Sequence, residues 1–370
     1  MSKETAFHPR LAALTDEWMD LFGYFAPSVV TDTDEEYRAV RESAGLMDFT
    51  MLRKVDLDGP GALELVNGIV GRDVSKLGQG HIAYGPLVDE DGKMVDDCTV
   101  MNRAPDRVRF CGANDRDFEI FGAAAEGTGI EVRELTDALP HLCLQGPSSR
   151  TVLQPLANQD LSNAAFPYYT FREDVEIAGV PVFMTRLGYT AELGYELWVD
   201  RERALELWDA LIEAGGPQGM KVIGMTALDL FRIEGGFIIG GVEYDPSVSP
   251  FECGLGWAVS FDKETLRGRA GLERDREETA LRLTSVVLES GGDDASGAPL
   301  SIGGFVTQAV VSPYLGGKTL GLAKVRKEQA EAGTKVTARV GDDTVAGEIV
   351  AHPVYDPKRS RAKETEPSES

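Results

Sequence analysis

Cysteine and histidine are scarce, four of each in 370 residues, and neither occurs in paired spacing. Cys98, Cys111, Cys143 and Cys253 stand singly in apolar surroundings, which argues against a disulfide framework or a zinc site and reads as small buried residues. His8, His81, His141 and His352 are equally dispersed, so no metal site is expected. No apolar run reaches the roughly 20 residues that cross a bilayer. The start, Met1-Ser-Lys-Glu-Thr-Ala-Phe-His8, lacks the basic and apolar stretches of a secretory leader. A cytoplasmic protein without a membrane partner is therefore expected. Positive charge is also short: 37 Lys and Arg face 61 Asp and Glu, a net charge of −24. Phosphate recognition needs clustered Lys and Arg, so no nucleic-acid partner is expected. Such a surface repels itself in dilute buffer and is tolerated where salt shortens the Debye length to about 3 Å at 1 M, which suggests a salt-rich cytoplasm.

What is present is a chain long enough for two or three domains with ample cores. Helical spacing is read over Leu11 to Phe22 and over Glu35 to Ala44, the second ended by Gly45, with a Pro27 loop between them. From Lys54 an alternating strand turns into a helix behind Gly59-Pro60, and the same strand, Gly-Pro and helix recur at Leu142 to Leu153 around Gly146-Pro147, a hint of internal duplication. Further on, Val175 to Ile177 and Val180 to Thr185 read as a hairpin turning at Ala178-Gly179, and Tyr195 to Val199 as a strand. Asp200 is expected to cap the helix ending at Gly215-Gly216, and Thr226 the helix Leu228 to Glu234. On the latter, Asp229 and Arg232 are spaced to pair with each other. Gly235 to Gly241 and Leu315 to Thr319 are glycine-rich without the spacing of a nucleotide loop, and are read as turns. Short strands from Leu281 to about Tyr355 suggest a small β-barrel, and Lys358 to Ser370 a disordered tail.

The stretch Tyr84 to Met101 is the most informative. Asp89-Glu-Asp-Gly92 supplies a hairpin turn, and the returning strand carries adjacent acids, Asp96 and Asp97. Neighbouring strand residues point to opposite faces, so one carboxylate faces inward and the other reaches solvent or a loop. Asp is disfavoured in strands. Either the two are edge charges that keep the strand soluble, or one is functional.

Several stretches in order resemble the folate-dependent aminomethyltransferase family, whose best-known member is the glycine-cleavage T-protein. They are Ala39-Val-Arg-Glu-Ser-Ala-Gly-Leu-Met-Asp48, Asp91-Gly-Lys-Met-Val-Asp-Asp97, Leu144-Gln-Gly-Pro147, Gly188-Tyr-Thr-Ala-Glu-Leu-Gly-Tyr-Glu196, Phe251-Glu-Cys-Gly-Leu-Gly-Trp257 and Pro353-Val-Tyr-Asp-Pro357. Together they cover roughly Glu36 to Arg361. The resemblance implies an α+β fold: two mixed α/β folate-binding portions around a central pocket over residues 1–275, then a C-terminal antiparallel β-barrel over 276–357, with 358–370 as the tail. It also implies tetrahydrofolate as co-substrate. By position, Asp97 matches the catalytic aspartate, and Glu196 the pterin-binding glutamate, whose carboxylate can accept two parallel hydrogen bonds from the pterin. Tyr189, Arg232, Tyr84 and Asn114 match other pocket positions, the charge of Arg232 suiting a carboxylated ligand. Without the resemblance, Glu196 reads as a solvated strand residue and Arg232 as half of a helical pair.

The chain departs from the T-protein pattern in Asp48-Phe-Thr-Met-Leu-Arg-Lys54, at Ala191 and Met101, and in Phe110-Cys-Gly-Ala-Asn114. These departures resemble demethylases of the same family. The main expectation is therefore methyl transfer from a small sulfonium, amine or ether donor to tetrahydrofolate. The alternative is aminomethyl transfer from a lipoyl carrier protein to give 5,10-methylene-tetrahydrofolate. A non-catalytic folate-binding protein is disfavoured, because Leu266-Arg-Gly-Arg-Ala-Gly-Leu272 replaces that group's Lys-Gly-Cys-Tyr-type motif.

Overall fold

The computed structural model describes residues 2–364. Two antiparallel sheets, each backed by helices, form the first two thirds of the chain. The first has the strand order Ile82–Val88, Met94–Ala104, Arg107–Gly112, Arg53–Asp58, Glu131–Glu134. In the second the order is Phe171–Ile177, Val180–Thr185, Gly194–Val199, His141–Gln145, Gly45–Asp48, Lys221–Val222, with only the last pair parallel. The helices Ala62–Ile69 and Arg116–Ala125 contribute Val66, Ile120 and Phe121 to the first core, and Ala204–Gly215 contributes Leu207, Trp208 and Leu211 to the second. A third antiparallel sheet, Gly304–Ser312, Lys318–Arg326, Leu281–Leu288, Asp343–Val350, Lys335–Val340, curls so that Leu300 bridges to Ala338. This is the C-terminal barrel domain. A shared core containing Tyr37, Met94, Phe231, Cys253 and Leu322 joins all three units.

The strand, Gly-Pro and helix unit appears once in each of the first two sheets. Gly59 and Gly146 both adopt positive φ, +148° and +127°, and a Cβ on either would strike backbone of a neighbouring segment. The repeat seen in the sequence is thus a repeated piece of backbone geometry that only glycine permits. All four cysteines are buried and free.

Several local expectations are corrected. Among the described residues near the N-terminus only His8–Leu11 is helical, and Trp18–Leu21 instead pairs with Tyr24–Pro27 across a turn with positive φ at Phe22 and Gly23. Phe-Gly is a weak hairpin signal beside Asn-Gly or Asp-Gly, so helical spacing masked it. The second helix is Thr33–Glu42, and it stops at Ser43 because Gly45 begins a strand. Its cap is Asp32, whose carboxylate accepts from the N–H groups of Asp34 and Glu35. Asp200 and Thr226 do not cap. The chain leaves Asp200 through a short 3₁₀ turn before Ala204, and the helix Met225–Gly235 starts after Gly224, whose N–H is received by the buried Glu36 at 2.7 Å. The tail is folded as far as Glu364, which pairs with Arg150 at 2.5 Å and Arg186 at 3.5 Å. Residues 365–370 lie outside the described residues.

Candidate functional site

The hairpin turn is built by Asp89, whose carboxylate accepts from the N–H groups of Asp91 and Lys93, both at 2.9 Å. Gly92, at φ +78°, lies against the backbone of Gly268 and Leu272 with no space for a side chain. With the turn so held, Pro86 stands opposite Asp97 and Leu87 opposite Asp96.

The alternation of the strand separates the two acids as expected, but neither reaches open solvent. Asp96 is the more deeply buried. Its Oδ2 accepts from the N–H groups of Ala113 and Asn114, and its Oδ1 from the N–H of Asp97. Behind it, against Gly112, lies Asp117, whose oxygens find no hydrogen-bond donor among the described groups and whose Oδ2 crowds the same spot as Oδ2 of Asp96. Burial, and then the charge of Asp96, push the Asp117 carboxyl well up. Asp97 is part-buried and receives the Tyr84 hydroxyl at 2.8 Å and that of Tyr244 at 2.6 Å. Burial, followed by the neighbouring Asp96, raises it to about 7.

Tyr84 also lines an open cavity of about 950 Å³ bounded by residues of all three units. Its wall is aromatic at Tyr168, Tyr169, Phe237, Phe251 and Trp257. Trp257 is 65% exposed, with the Arg72 guanidinium 5.1 Å from its ring. Seven lining residues are Lys or Arg, including Arg72, Lys76, Arg282 and Arg359, against a single acid, Asp73. In a chain of net charge −24 this is a local reversal of sign, suited to an anionic ligand with aromatic parts.

Glu196 occupies a second polar centre, between the first two sheets. It faces Thr185 across the pair of strands and accepts that hydroxyl at 2.9 Å through Oε2. His141 stands opposite Trp198, two residues along on the same face, with Nε2 3.4 Å from Oε2 of Glu196. Both ring nitrogens of this buried histidine lack a hydrogen-bond partner among the described groups, and burial lowers its pKa. From the facing sheet Lys54, wholly buried, extends over the Trp198 ring at 5.8 Å and donates to the Thr50 carbonyl at 2.9 Å. Burial lowers its ammonium to about 8, against the attraction of Cys111, Asp48 and Glu196.

The remaining expected residues are placed as follows. The Tyr189 ring packs on Phe237 at 5.0 Å and its hydroxyl donates to the Ile238 carbonyl. Arg232 is buried and engaged by Asp229 at 2.7 Å, Glu243 at 3.0 Å and the side chain of Gln308, so its charge is already compensated within the fold. Asn114 braces the Asp96 strand, donating to the Val95 carbonyl at 2.9 Å. Tyr84 alone of the six lines the cavity; Asp97 lies one hydroxyl behind it. Sequence reasoning missed Tyr244, Asp117, His141 and Lys54. Only Lys54 left a trace, in the alternation Lys54-Val-Asp-Leu-Asp58 that gives this strand one polar face.

A carboxylate held by two tyrosine hydroxyls, beside a cationic aromatic cavity in a two-sheet-plus-barrel fold, suits a transferase with an anionic, aromatic co-substrate. Residues 7–263 match the GCVT N-terminal domain, and residues 267–356 match the glycine cleavage T-protein C-terminal barrel domain. The chain belongs to the glycine-cleavage T-protein family and is a tetrahydrofolate-dependent transferase. It is 32% identical over 342 residues to an aminomethyltransferase from Halothermothrix orenii, covering 90% of this chain and 95% of that one. An aminomethyltransferase from Halalkalibacterium halodurans is 34% identical over 345 residues, 91% of this chain and 93% of that one. A trimethylamine-oxide aldolase from Ruegeria pomeroyi is 33% identical over 384 residues; this match takes in 98% of the chain but 48% of that protein. The fold is shared with the glycine cleavage system aminomethyltransferase T from Bartonella henselae, with a TM-score of 0.86 at 22% identity over 96% of this chain and 98% of that one. These matches favour the aminomethyl alternative over the demethylase expectation.

Proposed function

We propose that the protein transfers an aminomethyl carbon from a lipoyl carrier protein to tetrahydrofolate, in the cytoplasm, with Asp97 beside the reacting nitrogens. The observation that carries this reading is the pairing of Asp97 with the cationic cavity through one residue, Tyr84. The donor set fits the folate. The aromatic walls of the cavity suit its rings, and Arg72, Lys76 and Arg282 its carboxylated end, while Glu196, the acceptor expected for the pterin N–H groups, lies outside the cavity lining. The folate supplies two nucleophilic nitrogens that together take the carbon as ammonia and the carrier thiol leave. Asp97, as an anion, orients the nearer nitrogen and stabilises positive character on the carbon as the bond to sulfur breaks, an effect strengthened by exclusion of water.

A second reading has a specific observation behind it. The trimethylamine-oxide aldolase matches nearly the whole chain, and the departures around Lys54 set the chain apart from the T-protein pattern. Under that reading the donor is a small methylated molecule. The test is incubation of the protein with tetrahydrofolate and either an aminomethyl-loaded lipoyl carrier or a panel of methylated sulfonium, amine and ether donors. Formation of 5,10-methylene-tetrahydrofolate with the carrier alone supports the first reading. Production of 5-methyl-tetrahydrofolate from a small donor replaces it with the second.

A further inference from the structure

Tyr244 reaches the acid pair from a segment 147 residues away. Its hydroxyl lies 2.6 Å from Oδ1 of Asp97 and 2.9 Å from Oδ1 of Asp96, while the N–H of Asp97 approaches its oxygen at 3.1 Å. A hydroxyl has one proton to give. Oδ1 of Asp96 already accepts the N–H of Asp97, so that proton is free for Asp97, and two carboxyl groups brought this close to one hydroxyl disfavour being ionised together. We propose that Tyr244 is a positioning residue for the transfer step: it clamps Asp96 and Asp97 around one shared proton and so sets the pH at which Asp97 becomes the working anion. This rests on the reading of Asp97 as the residue beside the reacting nitrogens.

The surroundings decide where the proton resides. Asp96 accepts three backbone N–H groups, from Asp97, Ala113 and Asn114, which favours its anion. Asp117, buried behind it on the helix Arg116–Ala125, is pushed toward its neutral form by burial and by the charge of Asp96. Asp97 accepts no N–H from another residue among the described groups, and its carboxylate is held by the hydroxyls of Tyr84 and Tyr244. It is therefore Asp97 that takes up the shared proton and releases it. The other titratable groups facing it are Tyr84 on its partner strand, Tyr189 from the loop beyond Gly188, Cys98 next along the strand and Cys253 from the shared core, all with burial holding their protons on.

The test compares wild type, Tyr244→Phe and Asp117→Asn in two ways. One is the pH profile of kcat/KM for transfer to tetrahydrofolate. The other, independent of turnover, is the pH dependence of unfolding, with Asp97→Asn as the reference that lacks the titration. Loss of the hydroxyl removes a donor to the anion, so Tyr244→Phe should move the midpoint of both profiles upward by about one pH unit. Asp117→Asn keeps a neutral group behind Asp96 and should leave the midpoint in place. A Tyr244→Phe protein that is less stable at every pH with an unmoved midpoint overturns the proposal, as does a shift seen with Asp117→Asn instead. If no donor is turned over but the unfolding midpoint still moves with Tyr244→Phe, the clamp stands and the transfer reading alone falls.

Discussion

Replacing Lys54 by Met should stabilise the protein near neutral pH, although it removes a charge and a hydrogen bond. Lys54 has no exposed surface, and its ammonium is lowered from 10.5 to about 8 chiefly by burial. That fall corresponds to about 3 kcal/mol by which the folded state disfavours the charged form. Against it stands the Thr50 carbonyl, which would lose its donor at 2.9 Å, at a cost of about 1–2 kcal/mol. Met has a similar volume and length, so overpacking is small. The balance is a gain of about 1–2 kcal/mol at pH 7, read by urea unfolding. The pH dependence gives a second check. A lysine whose pKa is lower in the folded state binds fewer protons there, so wild-type stability should climb as pH rises from about 8 toward the unfolded value of about 10.4. In Lys54→Met that climb should shrink by the Lys54 share, leaving the part due to Lys263, which burial also lowers to about 8. A variant less stable than wild type by more than about 1 kcal/mol at pH 7, with the alkaline climb intact, would refute this account of the buried lysine.

Asp97→Asn should lower turnover by about 10²–10⁴-fold with folate affinity within a few-fold of wild type. Asp96→Asn should cost about 1–3 kcal/mol of stability, because the new amide turns an N–H toward the backbone donors of Ala113 and Asn114; chemical denaturation measures it. Glu196→Gln should weaken tetrahydrofolate binding by about 1–3 kcal/mol, and unchanged affinity in titration calorimetry would remove Glu196 from the pterin site. With a net charge of −24, the melting temperature should rise as salt goes from near zero to molar; a flat or falling curve contradicts the high-salt expectation.

The hairpin of Asp89 to Lys93 and the Gly59-Pro60 and Gly146-Pro147 units were legible because each has a local cause: a side chain that closes a turn, or a backbone conformation closed to other residues. The N-terminal hairpin was not, since Phe22 at positive φ leaves no compositional mark. Within the site, strand alternation separated Asp96 from Asp97 but could not reveal what covers each face. The cover comes from Asp117 and Tyr244, at separations where pattern carries no information. Arg232 illustrates the same gap, as its i, i+3 partner Asp229 was visible in the sequence while Glu243 and Gln308 were not.

The inverted charge of the cavity bears on how fast an anion could enter it. At low salt, where the Debye length reaches about 30 Å at 0.01 M, an approaching carboxylate meets the field of the whole acidic chain and is repelled; at the cavity mouth it meets seven cationic side chains around a single acid. Encounter and capture therefore respond to salt in opposite directions. Raising ionic strength screens the distant repulsion first and lets the anion come close, and only at much higher concentration does it loosen the grip of Arg72, Lys76 and Arg282 on what has arrived. For an anionic ligand the association rate would then climb with salt before it fell, the reverse of the monotonic decline shown when a ligand is steered by charge of opposite sign.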